Sequence, residues 1–243
     1  MFENKHHFEH GGAMKENPRQ AEILDLLHKN GRMTVRALAK TLYVTEMTVR
    51  RDLAQMENGG YLKRYRGGAV LKADVREMPI NERFFMDEGE KKELCLAAAA
   101  HLEDGMTVFL DSSSTCLYII PHLCKYKGIL VVTNSVKALT EASAYHIPCI
   151  LIGGEYYAQD MCLIGPIAEQ YTAELHFDVA FMTTAAYSEN GIISDFDIRQ
   201  TMVRRIAMKN AKKKIFLFEK SKLGKRLTYI LCRKEDADAI ITL

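Results

Sequence analysis

Apolar residues recur at helical spacing through the first third of the chain and in short unbroken runs through the rest. From Pro18, which suits a first helical turn, Ile23, Leu24, Leu26 and Leu27 form a stripe that stops at Asn30-Gly31, predicting a helix over about 18–29. Thr34 precedes Val35, Leu38, Ala39 and Leu42, which predicts a second, capped helix. Tyr43-Val44 turns the chain. Thr45 caps a third helix in which Val49, Leu53 and Met56 recur, and Asn58-Gly59-Gly60 stops it. Tyr61, Leu62 and Tyr65 before Gly67-Gly68, with Val70 and Leu71 after, predict a hairpin. Three helices and a basic hairpin describe a winged helix-turn-helix, and the chain is organised around Thr34–Leu53.

Residues 73–90 are charged, contain Pro79, and read as a linker with some helix around Glu82–Met86. Beyond them, apolar β-like runs alternate with helical patterns. Lys91–Leu102 predicts an Ala-rich helix, MTVFL (106–110) a strand, and the residues after DSSST a helix to about Leu123. Strands follow at 128–133, 149–153, 179–183, 214–218 and 239–243. Between them lie helices over 134–145, 167–174 and 199–210. Buried-type strands alternating with helices predict an α/β domain, 91–243, with a mostly parallel sheet. No repeat of solenoid period or low-complexity tract is present.

Charge divides the chain the same way. Residues 15–72 carry 12 Lys/Arg and 6 Asp/Glu, a net +6, whereas residues 73–243 carry a net −3. A basic segment beside a mildly acidic remainder points to a polyanionic partner for 15–72 alone. The cysteines, Cys95, Cys116, Cys124, Cys149, Cys162 and Cys232, show no CxxC spacing and read as buried thiols of a cytoplasmic protein rather than disulfide partners or zinc ligands. No apolar run approaches the ~18 residues of a membrane span. Residues 1–14 are polar and His-rich and are expected to be a disordered leader ahead of a start at Met14. His6, Glu9 and His10 fit a zinc-protease string but lack the packed helix that string needs. No metal and no cofactor is expected. Lys222-Leu223-Gly224-Lys225 resembles a nucleotide loop but fails, because Glu219 stands where its first Gly belongs and Arg226 where Ser or Thr does.

A helix-turn-helix inserts the N-terminal residues of its second helix into the major groove of double-stranded DNA. Thr45, Glu46, Thr48 and Val49 are therefore expected at base edges, with Thr34 capping the preceding helix beside the backbone. Arg50 and Arg51 lie about 100° apart, so at most one points straight into the groove and the other takes a phosphate or pairs with Asp52 or Glu46. Lys63, Arg64 and Arg66 on the hairpin suit backbone or minor-groove contact. The strings LAKTLYVTEMTVRRDL and LKRYRGGAV make residues 18–71 resemble the N-terminal domain of the DeoR family of bacterial transcriptional regulators. Thr45 replaces the family's usual Ser and Arg66 its usual His, and both keep the chemistry of cap and polar wing.

In the α/β part, Asp111, Ser112, Ser113, Ser114 and Thr115 follow one strand. Thr133, Asn134 and Ser135 end the next, and Gly153 and Gly154 the third. Small polar residues at successive strand ends, before helix starts, predict an anion or ligand site on one rim of the sheet. This half also resembles the DeoR family, through Lys91, DSSST, VVTNS, LIGG, Gly165, AFMTTAA and EKSKLGK. That resemblance implies an effector domain similar to sugar-phosphate isomerases, with Lys91, Gln200 and Lys222 among its ligand contacts. Ser113 and Thr183 replace glycines common in the family, Gln200 replaces a Glu, and Glu219 an Asp. Fewer glycines restrict the approach of backbone to phosphate, and Gln200 removes a candidate base.

The expected function is a sequence-specific transcriptional regulator, a repressor of carbohydrate genes, modulated by a phosphorylated sugar. Two DNA-reading heads one helical turn apart, about 34 Å, call for a homo-oligomer, a dimer or tetramer. Two alternatives stand beside it: a regulator whose sensor has degenerated into a scaffold, and an isomerase-like enzyme fused to a DNA-binding head. The second needs a carboxylate base that Gln200 does not supply.

Overall fold

The computed structural model describes residues 18–71 and 80–243, which form two compact units. The expected leader 1–14, residues 15–17 and 72, and the first part of the expected linker, 73–79, lie outside the described residues.

In the N-terminal unit, α1 (Pro18–Asn30) buries Ile23 and Leu27 and ends where Asn30 Nδ2 bonds the Leu26 carbonyl. A strand not foreseen from the pattern, β1 (Arg32–Thr34), follows, then α2 (Val35–Thr41), with Thr34 Oγ1 accepting from the Ala37 amide at 3.0 Å. Tyr43 makes the turn with φ +53, and α3 (Glu46–Asn58) begins at the Thr45 cap. β2 (Leu62–Tyr65) and β3 (Gly68–Leu71) are the expected hairpin, and β1 adds to β3, so the sheet order is β1-β3-β2. Gly68 is required at this pairing. A Cβ there would sit 2.4 Å from the Met33 carbonyl. Ile23, Leu27, Leu38, Val49, Leu53, Met56 and Leu62 share one core. Arg19 and Asp52 close it, with Nε 2.5 Å from Oδ2, tying α1 to α3.

The second unit starts inside the expected linker. α4 (Ile80–Arg83) and α5 (Glu88–Ala98) pack on it, Ile80 is fully buried, and Phe84 stacks on Tyr118 at 4.6 Å. Charged neighbours masked the apolar positions Ile80, Phe84 and Met86, so the linker reading is corrected for 80–90. A six-stranded sheet follows, built from β4 (Thr107–Leu110), β5 (Leu130–Thr133), β6 (Cys149–Leu151), β9 (Phe177–Met182), β12 (Ala211–Phe218) and β14 (Ala239–Thr242). Its order is β14-β12-β9-β4-β5-β6 and every pair is parallel. Side chains alternate between two buried faces, as a parallel sheet covered on both sides requires. Val108, Leu110, Val131, Phe181 and Leu217 face α5, α6 (Ile120–Leu123) and α7 (Val136–Ala144). Phe109, Val132, Ala180, Phe216 and Phe218 face α8 (Pro166–Ala173) and α9 (Ile198–Asn210).

Two small sheets escaped the pattern. One is the hairpin β7 (Glu155–Tyr157) and β8 (Cys162–Ile164), and the other joins β10 (Ala186–Tyr187), β11 (Ile192–Asp195) and β13 (Tyr229–Arg233). Their strands are short, and none shows a long alternating run. The six thiols are free, and Cys124 is exposed and Cys149 half-buried, which corrects the expectation that all are buried. Among the described residues no helix is long and apolar enough to cross a membrane.

Candidate functional site

The first candidate surface is α3. Val49, Asp52, Leu53 and Met56 point into the core. That removes Val49 from the base-reading set, because it is fully buried and cannot reach a groove. Thr45 and Thr48 serve each other: the Thr48 amide donates to Thr45 Oγ1 at 3.2 Å, and the two hydroxyls lie 2.9 Å apart. Arg50 pairs with Glu46 at 2.9 Å, one of the two partners expected for it, whereas Asp52 is taken by Arg19. Arg51 is exposed on the outer face. On the wing Arg64 is held against Glu57 of α3 by both its amide, at 2.8 Å, and its Nε, at 2.7 Å. Arg66 is exposed and Lys63 half-exposed. Met47 was missed by the sequence reading: its side chain is 72% exposed on the recognition helix. The signal was its spacing from Leu53 and Met56, which puts it opposite the core.

The second candidate site is the carboxyl edge of the parallel sheet. Strand order reverses between β4 and β9, because the chain runs β4-β5-β6 to one side and β9-β12-β14 to the other. Open α/β sheets bind ligands at such a switch point. Asp111 ends β4 and Thr183 ends β9, and the Thr183 amide donates to Asp111 Oδ2 at 3.0 Å. Asp111 also accepts from the Ser113 amide at 3.0 Å, from the Ser113 hydroxyl, and from Arg204 Nε at 2.9 Å. Arg204 Nη1 meets Asp195 at 3.1 Å. Burial would weaken the Arg204 guanidinium's hold on its proton, but Asp111 and Asp195 outweigh it and raise its pKa. Asp111 is thereby a buried anchor of the loop.

Beside the anchor the hydroxyls divide. Ser112 Oγ donates to Gln200 Oε1 at 3.2 Å, and Gln200 Nε2 donates to Asp160 Oδ2 at 2.5 Å. Asp160, in the β7–β8 turn, also pairs with Arg83. Ser114 accepts from Lys91 Nζ at 3.1 Å, and Lys91 also donates to the Arg83 carbonyl at 2.5 Å. With two neutral oxygens against it, buried Lys91 is pushed down to about 8, mainly by burial. Thr115 donates to Glu219 at 2.6 Å. Lys222 Nζ sits 2.6 Å from Glu219 Oε2 and 3.0 Å from Thr183 Oγ1. Burial alone would raise the Glu219 carboxyl, but the ammonium groups of Lys222 and Lys91 outweigh it and hold it at about 2. Thr115, Thr183, Glu219 and Lys222 thus form one chain of contacts, joined to Asp111 through Thr183, and the Lys91–Ser114 pair lies beside it, with the Lys91 charge acting on Glu219.

The other expected residues hold the scaffold. Thr133 Oγ1 accepts from the Ser135 amide, and Ser135 Oγ caps α7 through the Ala138 amide. Asn134 Nδ2 donates to the Leu163 carbonyl at 3.0 Å, linking the end of β5 to β8. Gly154, at φ +151, packs so closely that a Cβ would lie 2.7 Å from the Ile164 carbonyl, so close backbone packing requires a glycine there. Gly153 has open space where its Cβ would be. Arg83, Asp160, Asp195 and Arg204 were missed, because their partners are 9 to 93 residues distant and leave no local spacing signal.

A winged helix-turn-helix with an exposed cationic recognition face, followed by an α/β unit with a polar cluster at its switch point, defines a DNA-binding regulator with an appended sensor-type domain. The model of the DeoR-like helix-turn-helix domain matches residues 19–74, and that of the DeoR C terminal sensor domain matches residues 86–242. The chain belongs to the DeoR family of transcriptional regulators. It is 30% identical to the HTH-type transcriptional regulator GolR of Listeria innocua over 226 residues, 92% of this chain and 89% of the relative. It is 26% identical to the lactose phosphotransferase system repressor of Staphylococcus aureus, over 94% of this chain and 92% of that one. Among solved structures, ribose 5-phosphate isomerase A from Methanocaldococcus jannaschii aligns with a TM-score of 0.43 at 20% identity, over 58% of this chain and 56% of that one.

Proposed function

We propose that this regulator is a repressor of carbohydrate genes, that residues 15–72 read a double-stranded operator, and that residues 91–243 respond to a phosphorylated sugar. It acts in the cytoplasm as a homo-oligomer, since two heads must reach half-sites about 34 Å apart. The observation that carries the sensor reading is the pairing of Lys91 and Lys222 around Ser114, Thr115 and Thr183 at the switch point. Two ammonium groups beside hydroxyls, with one carboxylate between them, suit an anionic group on a polyhydroxyl ligand. The repressor role of the S. aureus relative supports the sign of regulation. For the ligand to release DNA it must bind one arrangement of the protein better than another, since equal affinity for both shifts nothing.

A scaffold reading has one observation in its favour. The hydroxyls of Ser112, Ser113 and Thr115 already donate within the protein, and Ser114 already receives Lys91. Thermal unfolding of the full chain with a panel of pentose and hexose phosphates separates the two. A ligand at 100 times its Kd adds ~2.7 kcal/mol of stability. A shift with a phosphorylated sugar and none with the free sugar supports the sensor. Silence across the panel supports the scaffold.

A further inference from the structure

The cationic face of α3 has an apolar centre. At ~100° per residue, Val49, Asp52, Leu53 and Met56 centre on one direction, and Met47 lies about 170° from it, nearer the outward pole than Arg50 or Arg51. Met47 is 72% exposed and is the second residue of α3, in its first turn, while both arginines are exposed on either side of it. A helix with its side chains is ~10–12 Å across and the major groove about 12 Å wide, so the residue at the pole faces the groove floor and the flanks face the two backbones. Thr48, a quarter-turn off the pole and bonded to Thr45, is turned toward the flank.

We infer that Met47 reads thymine, placing its thioether side chain against a 5-methyl group on the major-groove floor, with Arg50 and Arg51 setting the helix depth between the phosphates. Four kinds of group line that floor: acceptors, amino donors, hydrogens and the thymine methyl. A methionine offers no strong hydrogen bond to the first two, and it is flexible and polarisable enough to pack on the last. The contact dehydrates both partners, which is the source of the discrimination. The helix would then specify an A·T pair at its centre by an apolar contact, while the threonines expected to read bases hold the helix start instead.

The test uses the full chain and a random-sequence duplex pool. Once the preferred duplex is selected, each thymidine is replaced singly by deoxyuridine, which removes only the 5-methyl. Wild-type protein should weaken about fourfold at one thymine in each half-site, the effect of one buried methyl-sized group. Met47→Ala should bind the thymine and uracil duplexes equally at that position, and Met47→Leu should keep part of the preference. Because the side chain is exposed, the variants should melt with wild type. Equal wild-type affinity for every thymine–uracil pair, or an undiminished preference in Met47→Ala, would overturn the assignment. A pool with no enriched sequence would overturn base reading by α3 altogether, and this contact with it.

Discussion

Arg204 Nε lies 2.9 Å from Asp111 Oδ2, with both side chains buried, and this pair locks α9 to the switch point of the sheet. Removing one partner strands a charge in the interior. Arg204→Ala or Asp111→Ala should each destabilise the full chain by about 3–5 kcal/mol in urea unfolding. A loss below about 1 kcal/mol would show that the pair does not hold the loop.

Lys91 sets a pH dependence of definite sign. Its ammonium is held at about 8, against 10.5 for a free lysine, so between those values the unfolded chain binds more protons than the folded one. Stability should therefore rise with pH across that window, and the cost of burying the charge is fully present below it. Lys91→Met should remove this rise, which urea unfolding at pH 7.5 and 9.5 measures. An anion against Lys91 favours the charged form, so phosphorylated ligands should bind more weakly as pH climbs above about 8. A wild-type and variant difference that stays constant with pH would contradict this.

Thr45 acts as a cap. Its oxygen satisfies the Thr48 amide at the start of α3, so Thr45→Ala should cost about 1 kcal/mol and speed hydrogen exchange in the first turn, while Thr45→Ser should leave both nearly unchanged. Equal losses in the two variants would mean that methyl packing, not the cap, matters.

The two arginines should separate by salt dependence. Arg50 is engaged by Glu46 at 2.9 Å, whereas Arg51 is exposed on the outer face. Arg51→Ala should lower the slope of log affinity against log salt by about 1, and Arg50→Ala by less. Equal slopes in wild type and Arg51→Ala would remove Arg51 from the phosphate contacts.

The helices and central strands were legible because their burial follows periods of 3.6 and 2, and Thr34 and Thr45 sit at their caps as their spacing implies. The charge split located the DNA-reading segment. What the sequence hid was orientation and distance. Val49 looked groove-facing from its place near the helix start, yet the period that buries Leu53 and Met56 buries it too. Lys91, Ser114 and Lys222 were named separately, but the contacts that pair Lys91 with Ser114 and tie Lys222 to Thr115 and Thr183 and Thr115 to Glu219 span 23 to 107 residues. The β7–β8 turn that supplies Asp160 carries no strand-length run, so its part in holding Gln200 was invisible.

Operator binding by the full chain, titrated with phosphorylated sugars and their unphosphorylated counterparts, tests the coupling of the two units most directly. At least one phosphorylated sugar should weaken operator affinity tenfold or more while its free sugar does nothing. Lys222→Ala should abolish that response without changing affinity in the absence of sugar. Operator affinity that is identical across the panel, or a response that survives Lys222→Ala intact, would contradict the assignment of the switch-point cluster as the sensor.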